Sequence, residues 1–104
     1  MCYQFGTCER DIRDAVFEYL QWKGHKPVRV WQTTRKPTRD YYREATGVSD
    51  IIGCSKGGIF FAVEIKTKKG VLSPKQRSYL DEIRVLGGIA LVATSVEDVK
   101  NGGL

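Results

Sequence analysis

One alternating run limits the fold of this chain more than any other feature. Residues 59–67, IFFAVEIKT, are rich in β-branched and aromatic side chains and follow a glycine-rich stretch. A side-chain period of two puts Phe60, Ala62, Glu64 and Lys66 on one face and Ile59, Phe61, Val63 and Ile65 on the other, the pattern of a strand. Just before it, residues 49–53 form a short apolar run holding one acid, Asp50. Gly53, Cys54, Ser55, Lys56, Gly57 and Gly58 then read as a turn. If that turn closes an antiparallel hairpin, Asp50 lies across from Glu64 on the same face.

Two carboxylates so placed repel each other unless a cation sits between them. A pair of hard oxygen donors suits Mg²⁺, which takes one or two protein carboxylates and leaves its other positions to water and substrate phosphate. Lys66, on the same face, is placed to orient an attacking water or to neutralise charge developing on phosphorus. The plainer alternative is a surface acid and a Glu/Lys strand pair solvating one side of a sheet, as charged residues mostly do. Phe60 and Ala62, sharing the Glu64 face, argue against it.

The rest of the chain supplies a frame. Thr7 is a candidate N-cap, after which Ile12, Ala15, Val16, Tyr19 and Leu20 recur at helical spacing to about Lys23, with Gly24 as the stop. Glu9 continues that apolar stripe toward the sheet, although an acid in a first turn also simply complements the helix dipole. Residues 27–33 read as the first strand, Val28, Val30 and Gln32 alternating with Arg29, Trp31 and Thr33. Ser73, Pro74 and Gln76 form a capping box opening a second helix that ends near Leu86, with Gln76 on the same face as Tyr79, Leu80 and Ile83. Residues 89–94 read as a strand buried on both faces, and Ser95 with Asp98 starts a last helical turn. The expected order is α-β-β-β-α-β, an α/β fold whose mixed central sheet is flanked by helices and whose last strand returns parallel.

Charge indicates the partner. Seventeen Lys and Arg against twelve Asp and Glu give a net charge of +5 over 104 residues, which favours an anionic partner. Positive charge concentrates in residues 34–46, TRKPTRDYYREAT, where Arg35, Lys36, Arg39 and Arg43 interleave with Tyr41 and Tyr42. Arginines grip phosphates bidentately and tyrosines stack on bases, so this loop is the expected nucleic-acid surface, with a merely solvated loop as the alternative. Lys68, Lys69 and Lys75 extend the field beyond Lys66. The length suits a single domain over residues 1–104. No apolar run approaches the ~20 residues of a membrane span and residues 1–4 do not resemble a signal peptide, so the expected location is cytoplasmic, nucleoid or nuclear, not secreted, with no membrane partner. Cys2, Cys8 and Cys54 show no metal-binding spacing, and Cys2 and Cys8 are expected to stay reduced.

An acid on one strand followed by acid-x-lysine on the next resembles the PD-(D/E)xK nuclease superfamily. Glu9 in a leading helix, Gly47-Val48-Ser49-Asp50 without a proline before the acid, Glu64-Ile65-Lys66, and Gln76 opening the next helix resemble its virus-type replication-repair nuclease (VRR-NUC) branch over about residues 9–92. The resemblance implies a restriction-endonuclease-like fold and an endonuclease dependent on Mg²⁺ or Mn²⁺. Asp50, Glu64 and the Ile65 carbonyl would hold the metal, Lys66 would assist, Glu9 would contact a metal or its water, and Gln76 would position water or phosphate. It further implies branched DNA as substrate, in the manner of a Holliday junction resolvase. Two opposed incisions then call for a homodimer, for which Trp22 and Trp31 offer exposed aromatic surface, although base stacking would account for them equally. A non-catalytic DNA-binding module and an RNA endonuclease are the competing readings.

Overall fold

The computed structural model describes residues 8–30 and 47–104. In chain order these form α1 (Glu9–Lys23), β1 (Lys26–Arg29), β2 (Ile51–Cys54), β3 (Phe60–Ile65), α2 (Pro74–Val85), β4 (Ile89–Ala93) and α3 (Val96–Asn101). The four strands lie side by side in the order β1-β2-β3-β4. The first two pairings are antiparallel and β3 pairs β4 in parallel, the expected mixed α/β architecture.

Alternation in β3 divides the molecule into two layers. Phe61, Val63 and Ile65 pack with Ile12, Val16 and Leu20 of α1 and with Val99 of α3, while Ala62 packs with Leu80 of α2 and Ala90 of β4. One sheet face therefore carries α1 and α3 and the other carries α2. Full burial of side chains such as Leu20 or Phe61 contributes roughly 1.5–3 kcal/mol each, so the α1 face holds most of the hydrophobic stabilisation. The α2 face keeps a smaller apolar set and has room for polar groups.

Several boundaries differ from the sequence reading. The N-cap of α1 is Cys8, whose side chain makes no capping bond; Thr7 lies outside the described residues. Cys8 is disulfide-bonded, which overturns the expectation that it stays reduced. Ala15 is exposed despite its helical spacing, because the buried ridge of α1 is only Ile12, Val16 and Leu20. β1 ends at Arg29, although Val30 N–H still donates to the Asp50 carbonyl at 2.9 Å. β4 is not buried on both faces: among the described residues it is an edge strand, and Val92 is 37% exposed. The stop at Gly24 is as expected, with φ +99° and its N–H turned back to the last carbonyls of α1. Trp31 and residues 34–46, with Arg35, Lys36, Arg39, Tyr41, Tyr42 and Arg43, lie outside the described residues.

At the joint after α1, His25 is buried between two backbone partners. Lys56 N–H donates to its Nδ1 at 3.0 Å, so the ring is the Nε2–H tautomer and donates to the Leu104 carbonyl at 2.9 Å. The same carbonyl accepts from the Tyr19 hydroxyl at 3.4 Å. These bonds tie the α1–β1 joint, the β2–β3 turn and the last residue into one corner.

Candidate active site

The register of the hairpin builds the acid pair. Ile51 pairs with Val63 in the antiparallel ladder, so one step further Asp50 falls opposite Glu64. Asp50 itself stands just before β2, and its Oδ2 accepts the Ile65 N–H at 2.9 Å, taking the place that the next strand residue would fill. A strand residue presents its N–H and C=O to the same side, so the Ile65 carbonyl also faces the Asp50 side. Glu64 pairs across to Val92, and Val30 bonds to Asp50, so the row across the sheet reads Val30, Asp50, Glu64, Val92. The two acids are thus flanked by valines.

That setting decides the electrostatics. Glu64 is 2% exposed. Its Oε2 accepts from Gln76 Nε2 at 3.1 Å and lies 3.6 Å from Lys66 Nζ, while its Oε1 is buried with no hydrogen-bond partner. Burial, and then the charge of Asp50, push the Glu64 carboxyl up to about 8; Lys66 opposes the rise without cancelling it. A buried carboxylate oxygen without a donor is expensive in a folded protein, and a proton or, in its place, a bound cation offsets that cost.

The helix that follows aims one more group at the pair. Ser73 Oγ accepts the Gln76 N–H at 3.1 Å, and Gln76 Oε1 accepts the Ser73 N–H at 2.9 Å. With its oxygen held by the cap, the Gln76 amide can only turn its Nε2 outward, and it turns it to Glu64. One side chain therefore serves the helix start and the site together. Gly47 fixes the opposite edge. Its φ is +91°, and a Cβ there would stand 2.8 Å from the Lys75 carbonyl, so only glycine lets the backbone leading to Asp50 press against the first turn of α2. Gly70 packs closely on Lys66, where a Cβ would come within 3.1 Å of that side chain's Cδ.

The structure brings together Asp50, Glu64, Lys66 and Gln76 of the residues singled out from the sequence. Glu9 is exposed in the first turn of α1 instead of turned under it, and among the described residues no hydrogen bond or ion pair joins it to the acids. Lys68, Lys69 and Lys75 are exposed along the exit of β3 and the start of α2. Sequence reasoning missed that Val30 and Val92 stand beside the acids in the same row; counting the register outward from the turn would have found both. It also missed Ser49, which is fully buried with an unpartnered Oγ and carries no sequence signal beyond its odd-even phase with Ile51.

The donor set fits a hard divalent cation. It offers an unsatisfied carboxylate oxygen, a second carboxylate against it and a backbone carbonyl on the same side. Among the described residues no group of three or more His, Cys, Asp or Glu side chains converges, so this is a site with few protein ligands, the kind Mg²⁺ occupies while keeping several waters.

Comparison with known proteins agrees with this geometry. The family model described as the VRR-NUC domain matches residues 11–97. A solved structure of a VRR-NUC domain is similar to this chain with a TM-score of 0.66 and 18% identity, covering 89% of this chain and 90% of that one, a likeness of fold. Among curated protein sequences none matches. With the family model spanning both acids, the lysine and the glutamine, the chain belongs to the VRR-NUC domain family, nuclease-type domains of the PD-(D/E)xK superfamily.

Proposed function

We propose that this chain is a single-domain, Mg²⁺- or Mn²⁺-dependent DNA endonuclease that acts on branched DNA. The observation that carries the metal dependence is the unpartnered, buried Glu64 Oε1 beside Asp50. Asp50, Glu64 and the Ile65 carbonyl would hold the cation, which when bound neutralises phosphate charge and acidifies water.

The chain's own residues prepare the rest. The Ile65 N–H and the Val30–Asp50 backbone bond hold Asp50 still. Gln76 keeps Glu64 Oε2 turned to it and so leaves Oε1 open. Lys66, partly sheltered 3.6 Å from Glu64, provides positive charge where the phosphate gains negative charge, and a donor for the proton exchange as water attacks phosphorus and the bond to the leaving oxygen breaks. The burial of Glu64 strengthens its interactions with Lys66 and Gln76. Lys68, Lys69, Lys75 and the basic stretch of residues 34–46 supply phosphate contacts without reading sequence.

The +5 charge supports an anionic partner and the family supports DNA; branched DNA is the substrate we propose, and its two opposed incisions call for a homodimer with one site per protomer. A DNA substrate fits a cytoplasmic, nucleoid or nuclear setting, and among the described residues no helix is long and apolar enough to cross a membrane. The test is to incubate the protein with labelled four-way junction, duplex DNA, single-stranded DNA and RNA, in Mn²⁺ and in EDTA. Cutting of the junction in Mn²⁺ alone is expected. Cutting in EDTA would sink the metal assignment, and a preference for RNA would sink the substrate.

A further inference from the structure

The far side of α1 carries an aromatic and basic surface that the acid site does not use. Trp22 is 80% exposed, the largest apolar side chain so exposed among the described residues. Its ring stands 6.4 Å from that of Tyr19 at 38°, and Ala15, Glu18, Tyr19 and Trp22 line a shallow, open depression. Two lysines from different helices converge on it, Lys23 Nζ 5.9 Å and Lys100 Nζ 5.6 Å from the centre of the Tyr19 ring. A third, Lys56, lies against the Gly24 stop of α1 and is tied there by its N–H bond to His25.

We infer that this surface is a second nucleic-acid contact, in which one unpaired base stacks on Trp22 while Lys23, Lys100 and Lys56 take the flanking phosphates. The inference rests on the proposed action on DNA and names the part of the substrate concerned: a single-stranded arm. Charge selects this occupant over a second copy of the chain. A two-fold interface sets a patch against itself, so a contact centred on Trp22 would bring Lys23, Lys56 and Lys100 toward their own copies with Glu18 as the one acid of the depression to offset them. A phosphate backbone has the opposite sign, and a flat exposed indole accepts any base. The position selects a flexible strand over a straight duplex. Trp22 is on the α1 layer and the Glu64 row faces α2, so a strand touching both must bend round the sheet edge.

The test is fluorescence anisotropy with a short labelled oligothymidylate and with a duplex of equal length, in EDTA so that nothing is cut. Trp22→Ala should weaken oligothymidylate binding roughly ten-fold, with Trp22→Phe restoring most of it and duplex binding changing less. Lys23→Ala with Lys100→Ala should lower the salt slope by about 0.7 for each phosphate no longer neutralised. Unchanged affinity for the oligothymidylate in Trp22→Ala would overturn the inference. So would a fall in oligomeric mass of Trp22→Ala by light scattering with affinity unchanged, which would assign the face to a second copy. Cleavage of branched DNA by the wild-type protein, measured separately in Mn²⁺, shows whether the nuclease reading stands or fails independently of this surface.

Discussion

His25, packed beside the β2–β3 turn, and Glu64, near the far end of β3, are both buried polar side chains, 8% and 2% exposed, and their surroundings differ in one respect. Both ring nitrogens of His25 are engaged, one by the Lys56 N–H and the other by the Leu104 carbonyl. Glu64 has one oxygen engaged and the other facing no donor, against a second carboxylate. Closed polar burial holds a corner of the fold together. Open polar burial costs stability and makes sense where something from outside completes the set.

Removing the open group's chemistry puts that contrast under the greatest strain. Glu64→Gln, Asp50→Asn and Lys66→Ala are each expected to lower cleavage on the order of 10³-fold, the several kcal/mol that charge stabilisation supplies, with DNA binding in EDTA largely kept. A folded Glu64→Gln protein cutting at the wild-type rate in a gel assay would refute the site.

The closed group should behave in the reverse way. His25→Ala leaves the Lys56 N–H without its side-chain partner and the Leu104 carbonyl with only the Tyr19 hydroxyl, and is expected to cost about 1–2 kcal/mol in urea unfolding. Cleavage per folded molecule should hold. If activity fell with stability intact, the two groups would be coupled and the contrast between them too simple.

The pH dependence separates the two groups further. Because the Glu64 carboxyl lies near 8 when folded and near 4.5 when unfolded, the folded state holds a proton that the unfolded chain releases in that interval. Its favourable contribution is complete below about pH 4.5 and is lost as pH rises to about 8, so the melting temperature in EDTA should fall by several degrees across that window. Mn²⁺ should flatten or reverse the trend by replacing the proton, and Glu64→Gln should remove it. A melting temperature rising between those pH values in EDTA would show that Glu64 is not held in its protonated form.

The smallest expected effect concerns the basic stretch of residues 34–46. Arg35, Arg39 and Arg43 changed together to Ala should weaken DNA binding and reduce its salt slope by about 0.9 for each phosphate left without its arginine, with cleavage at saturating substrate changing much less. An unchanged slope would return that stretch to ordinary solvated surface.

Local pattern alone determined much of this protein. Period-two alternation in residues 59–67 put Glu64 and Lys66 on one face, the glycine-rich turn set the antiparallel hairpin, and Ser73-Pro74 with Gln76 marked the start of α2, because each depends on neighbours a few residues away. Tertiary structure decided what those residues do to one another. The valines beside the acid pair come from β1's exit and from β4, the amide that turns Glu64 is aimed by a helix cap, and the close approach of Gly47 to Lys75 sets the edge of the site. Whether a carboxylate is solvated or left open depends on what lies across the sheet and over it, and those partners are distant in sequence. The same reason explains the exposure of Val92 and Ala15: an apolar residue in the right phase is buried only where another element covers it.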